Sequence, residues 1–412
     1  MFKKITDLPA EIKQYLIVTA NYWAFTLTDG ALRMLVVLHF HQLGYSPLGI
    51  AALFLFYELF GVVTNLLGGY LGARIGLNRT MNIGLALQVF ALIMLAVPSA
   101  MLTMFWVVAA QALSGIAKDL NKLSAKSAIK MLVPGDQQQQ LFRWVALLTG
   151  SKNALKGVGF FLGGALLAGY GFKGAVIIMA SLLCAVWLAS IILLKKDLGK
   201  ANNKPKFSDI FSKSQAVNVL SAARLFLFGA RDVWFVVALP VYLSSQLGWS
   251  FWWVGSFFAI WIIGYGILQS LAPTIIRNTN ITHKAKRLLP GGNTALCWAM
   301  LLAAVTAALA LALQNELPAA AVLIVGLAIF AAVFAINSSL HSFLIVSYAK
   351  SDGASLDIGF YYTANAMGRL IGTLLSGWIY QSAGLIACLW TAVLFIVVAA
   401  IISTGLPRLT RV

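Results

Sequence analysis

The sequence predicts an all-α membrane protein whose twelve transmembrane helices form two pseudo-symmetric six-helix halves. Three observations lead there. Long apolar runs follow one another nearly end to end, one long polar stretch interrupts them near the midpoint, and short patterns in the first half return in the second. Composition agrees: of 412 residues, 60% are hydrophobic and 10% charged, too few polar groups to cover a water-soluble globule.

Each apolar run reaches about 20 residues or more, enough for a helix to cross the hydrocarbon layer. A helix closes its backbone hydrogen bonds within one such segment, and an open strand does not. The spans run approximately over 15–40, 48–73, 80–98, 101–123, 140–168, 174–194, 216–243, 251–276, 288–313, 319–347, 357–381 and 384–405. The opening MFKKITDLPAEIKQ leads straight into a full-length span without a cleavage site, so no removable signal peptide is expected. Cys184, Cys297 and Cys388 fall within spans at no metal-ligand spacing, and read as small apolar fillers rather than as zinc or disulfide partners.

A net charge of +18 suggests nucleic acid until the bases are placed. Lys3, Lys4, Lys13, Arg74, Arg79, Lys126, Lys130, Lys195, Lys196, Lys200, Lys204, Lys206, Lys213, Arg277, Lys284, Lys286, Arg287, Lys350, Arg408 and Arg411 all fall on the side that holds both termini. The opposite loops carry Lys173 alone. That asymmetry is the positive-inside pattern, and it predicts both termini cytoplasmic and no nucleic-acid partner; a bacterial inner-membrane location is expected. A monomer is expected.

The polar stretch KKDLGKANNKPKFSDIFSKS divides the chain into an N-terminal half (1–194), a cytoplasmic linker (195–215) and a C-terminal half (216–412). Two echoes join the halves. Phe25 and Asp29 precede QLGYS at 42–46, as Phe228 and Asp232 precede QLGWS at 246–250. Lys156, Gly159 and Gly164 match Arg369, Gly372 and Gly377 at one constant offset.

This organisation resembles the major facilitators, whose substrate site lies between two six-span halves near the midplane. The loop GYLGARIGLNR (69–79) resembles their motif after the second span through Gly69, Leu71, Arg74 and Gly76. Ala73 stands where that family usually has Asp, so the charge relay of the family motif is incomplete. Gly150, Gly159 and Gly163 partly match the antiporter glycine motif without its Gly-Pro ending, and read first as helix-packing positions.

Charges inside spans carry the functional reading. A central Arg, Lys or Asp costs about 2.5–3.5 kcal/mol on insertion scales, so it faces protein or a wet cavity. Asp29 and Arg33, one turn apart, are placed to pair with each other. The other central acids are Glu58 and Asp232. Lys152 and Lys156 share a face of the fifth span, Arg224 and Arg231 a face of the seventh, and Arg369 sits mid-span in the eleventh. With Asp29 neutralising Arg33, these two acids face five bases, a surplus that an anionic ligand relieves. Snorkelling to the cytoplasmic surface is the alternative, open to Arg224 more than to Lys156 or Arg369.

Lys118, Lys122, Lys126 and Lys130 recur every four residues. The last two read as surface anchors, whereas Lys118 and Lys122 lie deep enough to draw an anion inward. Asp119 projects about 100° from Lys118 on an ideal helix and is not expected simply to cancel it. Tyr361, Tyr362 and Asn365 precede Arg369, and Asn337, Ser338, Ser339, His341 and Ser342 make a polar patch on the tenth span. Such groups bind a sugar-acid backbone or tie helices together, and the sequence leaves both readings open. His341 is a proton-relay candidate.

Within the major facilitators, NYWAFTLTDGALRMLVVLHFHQLGYSPLGIA (21–51), GLNRTMNIGL (76–85) and GIAKDLNKLSAKSAIK (115–130) resemble the organoarsenical efflux permeases of arsenic-resistance operons, the ArsJ family. That resemblance implies export of 1-arseno-3-phosphoglycerate, which a functionally coupled glyceraldehyde-3-phosphate dehydrogenase makes from arsenate and glyceraldehyde 3-phosphate. Alternating access is expected, with Arg33, Lys152 and Lys156 holding one anionic end and Arg231 and Arg369 the other. Asp29, Glu58, Asp119, Asp232 and His341 serve coupling or ion pairing. No cofactor or metal is implied, and the absence of a phosphate-binding G-x-x-x-x-G-K-[ST] loop argues against direct ATP drive.

Three other readings remain. A carrier of another organic anion or organophosphate keeps the basic cavity, a cationic-drug antiporter needs acids without surplus base, and a membrane enzyme needs a convergent nucleophile or metal set. The spans supply neither of the last two.

Overall fold

The computed structural model describes residues 10–45, 53–133, 137–194, 198–202, 205–210, 214–279 and 291–407. Among the sequence-based expectations, Lys3, Lys4, Lys195, Lys196, Lys204, Lys213, Lys284, Lys286, Arg287, Arg408 and Arg411, with Ser46 of the first echo, lie outside the described residues.

The described residues form helices and turns without a strand. In chain order they are α1 (Ala10–Gln42), α2 (Leu55–Ile75), α3 (Leu77–Leu95), α4 (Met104–Leu132), α5 (Gln138–Leu193), α6 (Gln215–Phe235), α7 (Ala238–Ser245), α8 (Phe251–Thr279), α9 (Gly292–Gln314), α10 (Ala319–Tyr348) and α11 (Ala354–Ser403). Two short 3-10 turns lie at Ser99–Met101 and Phe207–Ile210.

The longest helices, α5 and α11, each break at one glycine, Gly171 (φ 65°) and Gly384 (φ 76°). A Cβ disfavours that backbone region, so glycine lets each chain change direction cheaply. These glycines stand in the same register that relates Lys156 to Arg369. Counting their arms separately and α6 with α7 as one gives twelve helical segments, matching the number expected from the sequence.

Seven described helices are long and apolar enough to cross a membrane. The long helices outside that set, α1, α2 and α4, carry Asp29, Arg33, Glu58, Lys118, Asp119 and Lys122. Large apolar side chains point outward, among them Phe105, Ile192 and Trp253. Water would penalise that surface, and lipid does not.

The chain forms two compact units. One comprises Met1–Gly135, Ser151–Phe211 and Ala349–Phe360; the other comprises Asp136–Gly150, Ser212–Tyr348 and Tyr361–Val412. In the first unit the loop motif acts through backbone contacts. Ser355 Oγ donates to the Gly69 carbonyl at 2.7 Å, and Ala201 N–H donates to the Ala73 carbonyl at 2.8 Å. The linker is thus tied to the position where the family motif would place its Asp.

The second unit packs around Trp234, Trp261, Phe330 and Phe334. Trp234 meets Phe330 edge-on at 5.0 Å, while Trp261 stacks on Tyr265, the arrangements that ring quadrupoles favour. Between α6 and α7 the helix is interrupted. Ser376 Oγ of α11 accepts the Ala238 N–H at 3.1 Å, satisfying a backbone donor at the break.

Candidate functional site

Small residues bring the polar helices of the first unit together. A Cβ on Gly115 of α4 would meet Tyr57 Cα of α2 at 2.9 Å, and one on Gly61 would meet Asp119 Oδ2 at 2.9 Å. That approach seats an ionic network. Arg33 Nη2 bonds Glu58 Oε1 at 3.1 Å, and Lys118 Nζ lies 3.8 Å from Glu58 Oε2. Asp119 pairs with Lys122 and stands 4.0 Å from Lys118.

Three expectations are corrected here. Asp29 accepts a 2.6 Å hydrogen bond from the Tyr57 hydroxyl and does not pair with Arg33. Asp119 comes within ion-pair distance of Lys118 despite its angular offset, because a lysine stem is long enough to curl back. Lys126 is also corrected: at 3% exposure it is buried rather than a surface anchor.

Tyr57 was not singled out by sequence. Its ring lies 3.8 Å from Lys118 Nζ and 5.0 Å from the Arg33 guanidinium. A π-face holds two cations while its hydroxyl holds the acid. The one available signal was its position beside Glu58. Lys156 makes no ion pair among the described residues and lies in the field of Arg33, Asp29, Lys152 and Lys118. Arg33, Lys118, Lys122, Lys152 and Lys156 thus outnumber Asp29, Glu58 and Asp119.

The second unit repeats the scaffold with different pairing. Asp232 is fully buried and shared by two guanidiniums, accepting from Arg231 Nε at 2.6 Å and from Arg369 Nε at 3.0 Å. Where the first half has Asp29 and Lys156 without a mutual ion pair, the second has Asp232 bridging to Arg369. Arginine's forked, delocalised cation suits a shared carboxylate.

Arg224, left open to snorkelling by the sequence, is 3% exposed. Its Nε donates to Asn365 Oδ1 at 2.9 Å and its Nη1 to the Ser338 carbonyl at 3.3 Å. Tyr361, Tyr362, Asn365 and His341 are buried in this unit, and Tyr361 meets Tyr362 edge-on at 4.9 Å. The structure therefore groups Arg33, Lys118, Lys122 and Lys156 with Asp29, Glu58 and Asp119, and separately groups Arg231 with Asp232 and Arg369. No group of His, Cys, Asp and Glu able to hold a metal occurs among the described residues.

Comparison with known proteins gives the class. The model of the Major Facilitator Superfamily matches residues 15–345. The chain belongs to that superfamily of transporters, and is a multi-pass membrane protein. Among solved structures, the human organic anion transporter MFSD10 superposes with a TM-score of 0.73 at 16% identity, covering 96% of this chain and 100% of that one. The transporter FucP in its outward conformation gives 0.74 at 11% identity over 96% and 99%. A bacterial homologue of the iron transporter ferroportin gives 0.71 at 11% over 96% and 99%. These likenesses establish the fold. No curated protein matches the sequence.

Proposed function

We propose that this transporter exports an anionic organoarsenical, 1-arseno-3-phosphoglycerate, by alternating access across the bacterial inner membrane, with both termini cytoplasmic. The observation that carries the anionic class is the surplus of half-buried base on the polar helices. In the first unit the cluster around Tyr57 sets five bases against three acids, and in the second Arg231 and Arg369 share one carboxylate. Surplus positive charge is costly when the site is empty and is relieved by a ligand with several anionic oxygens. The arsenical cargo rests on the resemblance of residues 21–51, 76–85 and 115–130 to the organoarsenical permeases.

In this reading Arg33, Lys152 and Lys156 take one anionic end, and Arg231 and Arg369 the other. Lys118 and Lys122 attract the ligand, and Tyr361, Tyr362 and Asn365 contact its carbon backbone. Asp29, Glu58 and Asp232 reset the empty carrier by re-pairing with the bases or by taking a proton. A dehydrogenase that makes the cargo is a functional partner rather than a bound one.

The test is arsenate resistance and cellular arsenic content in a sensitive bacterium expressing the chain with and without a matching glyceraldehyde-3-phosphate dehydrogenase. Resistance is expected only with both proteins. It is expected to fall at least about tenfold in Lys156→Ala or Arg369→Ala at equal membrane levels, the loss of one charge-assisted contact. A well-expressed wild type that confers no resistance would remove the arsenical cargo and leave another organic anion or organophosphate.

A further inference from the structure

We infer that Arg224 is the cation of a second oxyanion-binding position in the C-terminal half, deeper than Arg231, which takes a phosphate-class group. The argument deepens the anion-carrier reading and rests on it, but it starts from a separate observation. Arg224 is 3% exposed and has no acidic partner among the described residues, unlike Arg231 and Arg369. A guanidinium offers five N–H donors. The neutral oxygens of Asn365 and Ser338 engage two of its nitrogens. They satisfy geometry without cancelling charge, and a buried cation without a counter-charge is among the most costly groups a fold can hold.

The surroundings are built for an anion. Phe228 lies 3.7 Å from the Arg224 guanidinium and 5.0 Å from that of Arg231, so one ring separates and stiffens both cations. The Tyr361 ring stands 5.3 Å from Arg224. Its hydroxyl faces Ser342 of α10, and Ser221 Oγ one turn before Arg224 on α6 and His341 Nδ1 on α10 are buried without a hydrogen-bond partner among the described residues. Native interiors rarely leave buried polar atoms unpaired. Hydroxyl groups beside a fork of N–H donors are the complement of a tetrahedral oxyanion.

Seven residues of helix place Arg224 and Arg231 on one face of α6, about 10 Å apart along its axis. The Arg369 and Arg231 side chains are 31% and 15% exposed, whereas Arg224 is a buried residue. Only a compact oxyanion, or the tip of a longer molecule anchored at Arg231, reaches so sealed a position. The ligand chemistry is therefore one phosphate, arsenate or phosphonate group, either free or at the end of a short organic anion.

The experiment is thermal unfolding of the full-length protein in detergent, titrated with inorganic phosphate and, separately, with 3-phosphoglycerate. Wild type is expected to gain stability saturably. A response to phosphate alone assigns a free oxyanion to Arg224, and a response to 3-phosphoglycerate alone assigns the end of an organic anion. Without ligand, Arg224→Gln is expected to melt at or above wild type, because it removes an uncompensated cation, and to bind the responding anion at least about tenfold more weakly. Tyr361→Phe is expected to melt like wild type and still bind several-fold more weakly.

Wild-type affinity in Arg224→Gln would overturn the inference and leave the anion-carrier reading intact. Arg224→Gln melting well below wild type, with unchanged binding in Tyr361→Phe, would make Arg224 a structural tie instead. No response of wild type to either anion would overturn both the site and the anion-carrier reading.

Discussion

Asp232→Asn is expected to lower the stability of the protein by about 3 kcal/mol or more, the range found when one partner of a buried ion pair is removed. The carboxylate is fully buried and bonds two guanidiniums from different helices, Arg231 on α6 and Arg369 on α11. Asparagine keeps the shape, removes the charge and leaves both cations facing each other. The partial exposure of the two arginines softens the loss, so the low end of the range applies. Membrane yield and the unfolding midpoint in detergent would register it. The double variant Asp232→Asn/Arg231→Gln should recover part of the loss, since one of the repelling cations has gone. A single variant that melts like wild type would show that Asp232 does not hold this pair.

Gly372→Ala is the second large effect, with Gly159→Ala as its counterpart in the other half. A Cβ at Gly372 would sit 2.6 Å from the Gly229 carbonyl oxygen and 3.0 Å from Asp232 Cβ. One at Gly159 would sit 2.7 Å from the Leu27 carbonyl oxygen and 3.0 Å from the Ala31 nitrogen. Alanine gains up to about 1 kcal/mol of helix propensity over glycine, and overpacking costs about 1–3 kcal/mol. Overpacking prevails here because the obstacles are backbone atoms, which no rotamer change removes. Gly377→Ala supplies the control, for a Cβ there meets nothing within 4 Å. Unfolding midpoints should fall for Gly159→Ala and Gly372→Ala, while Gly377→Ala holds or rises. Equal midpoints in all three would mean that the helices do not need the close approach.

The two echoes read from sequence met different fates in three dimensions. Gly159 and Gly372 are both sites of helix–helix approach, so that part of the repeat records a shared packing constraint. Gly164 and Gly377 belong to the same echo, yet a Cβ at either would meet no closer obstacle than Leu38 at 3.7 Å from Gly164. The Asp29 and Asp232 echo kept the residue and changed its partner, from the Tyr57 hydroxyl to a pair of arginines. A one-dimensional repeat preserves backbone architecture more faithfully than it preserves which side chains touch.

Helix class, span number and the presence of costly buried charge were determined by the sequence alone. Each follows from a rule that acts along one segment: apolar length, backbone self-satisfaction and the price of a charge in lipid. Pairing was decided only by the tertiary structure. Arg33 found Glu58 on α2 rather than Asp29 one turn away, Lys118 and Arg33 found the Tyr57 ring, and Arg224 settled among Asn365, Ser338 and Phe228 instead of reaching for the surface. The physical reason is reach. Long basic side chains choose among partners on neighbouring helices, and the sequence spacing of one helix ranks only the partners that the same helix carries.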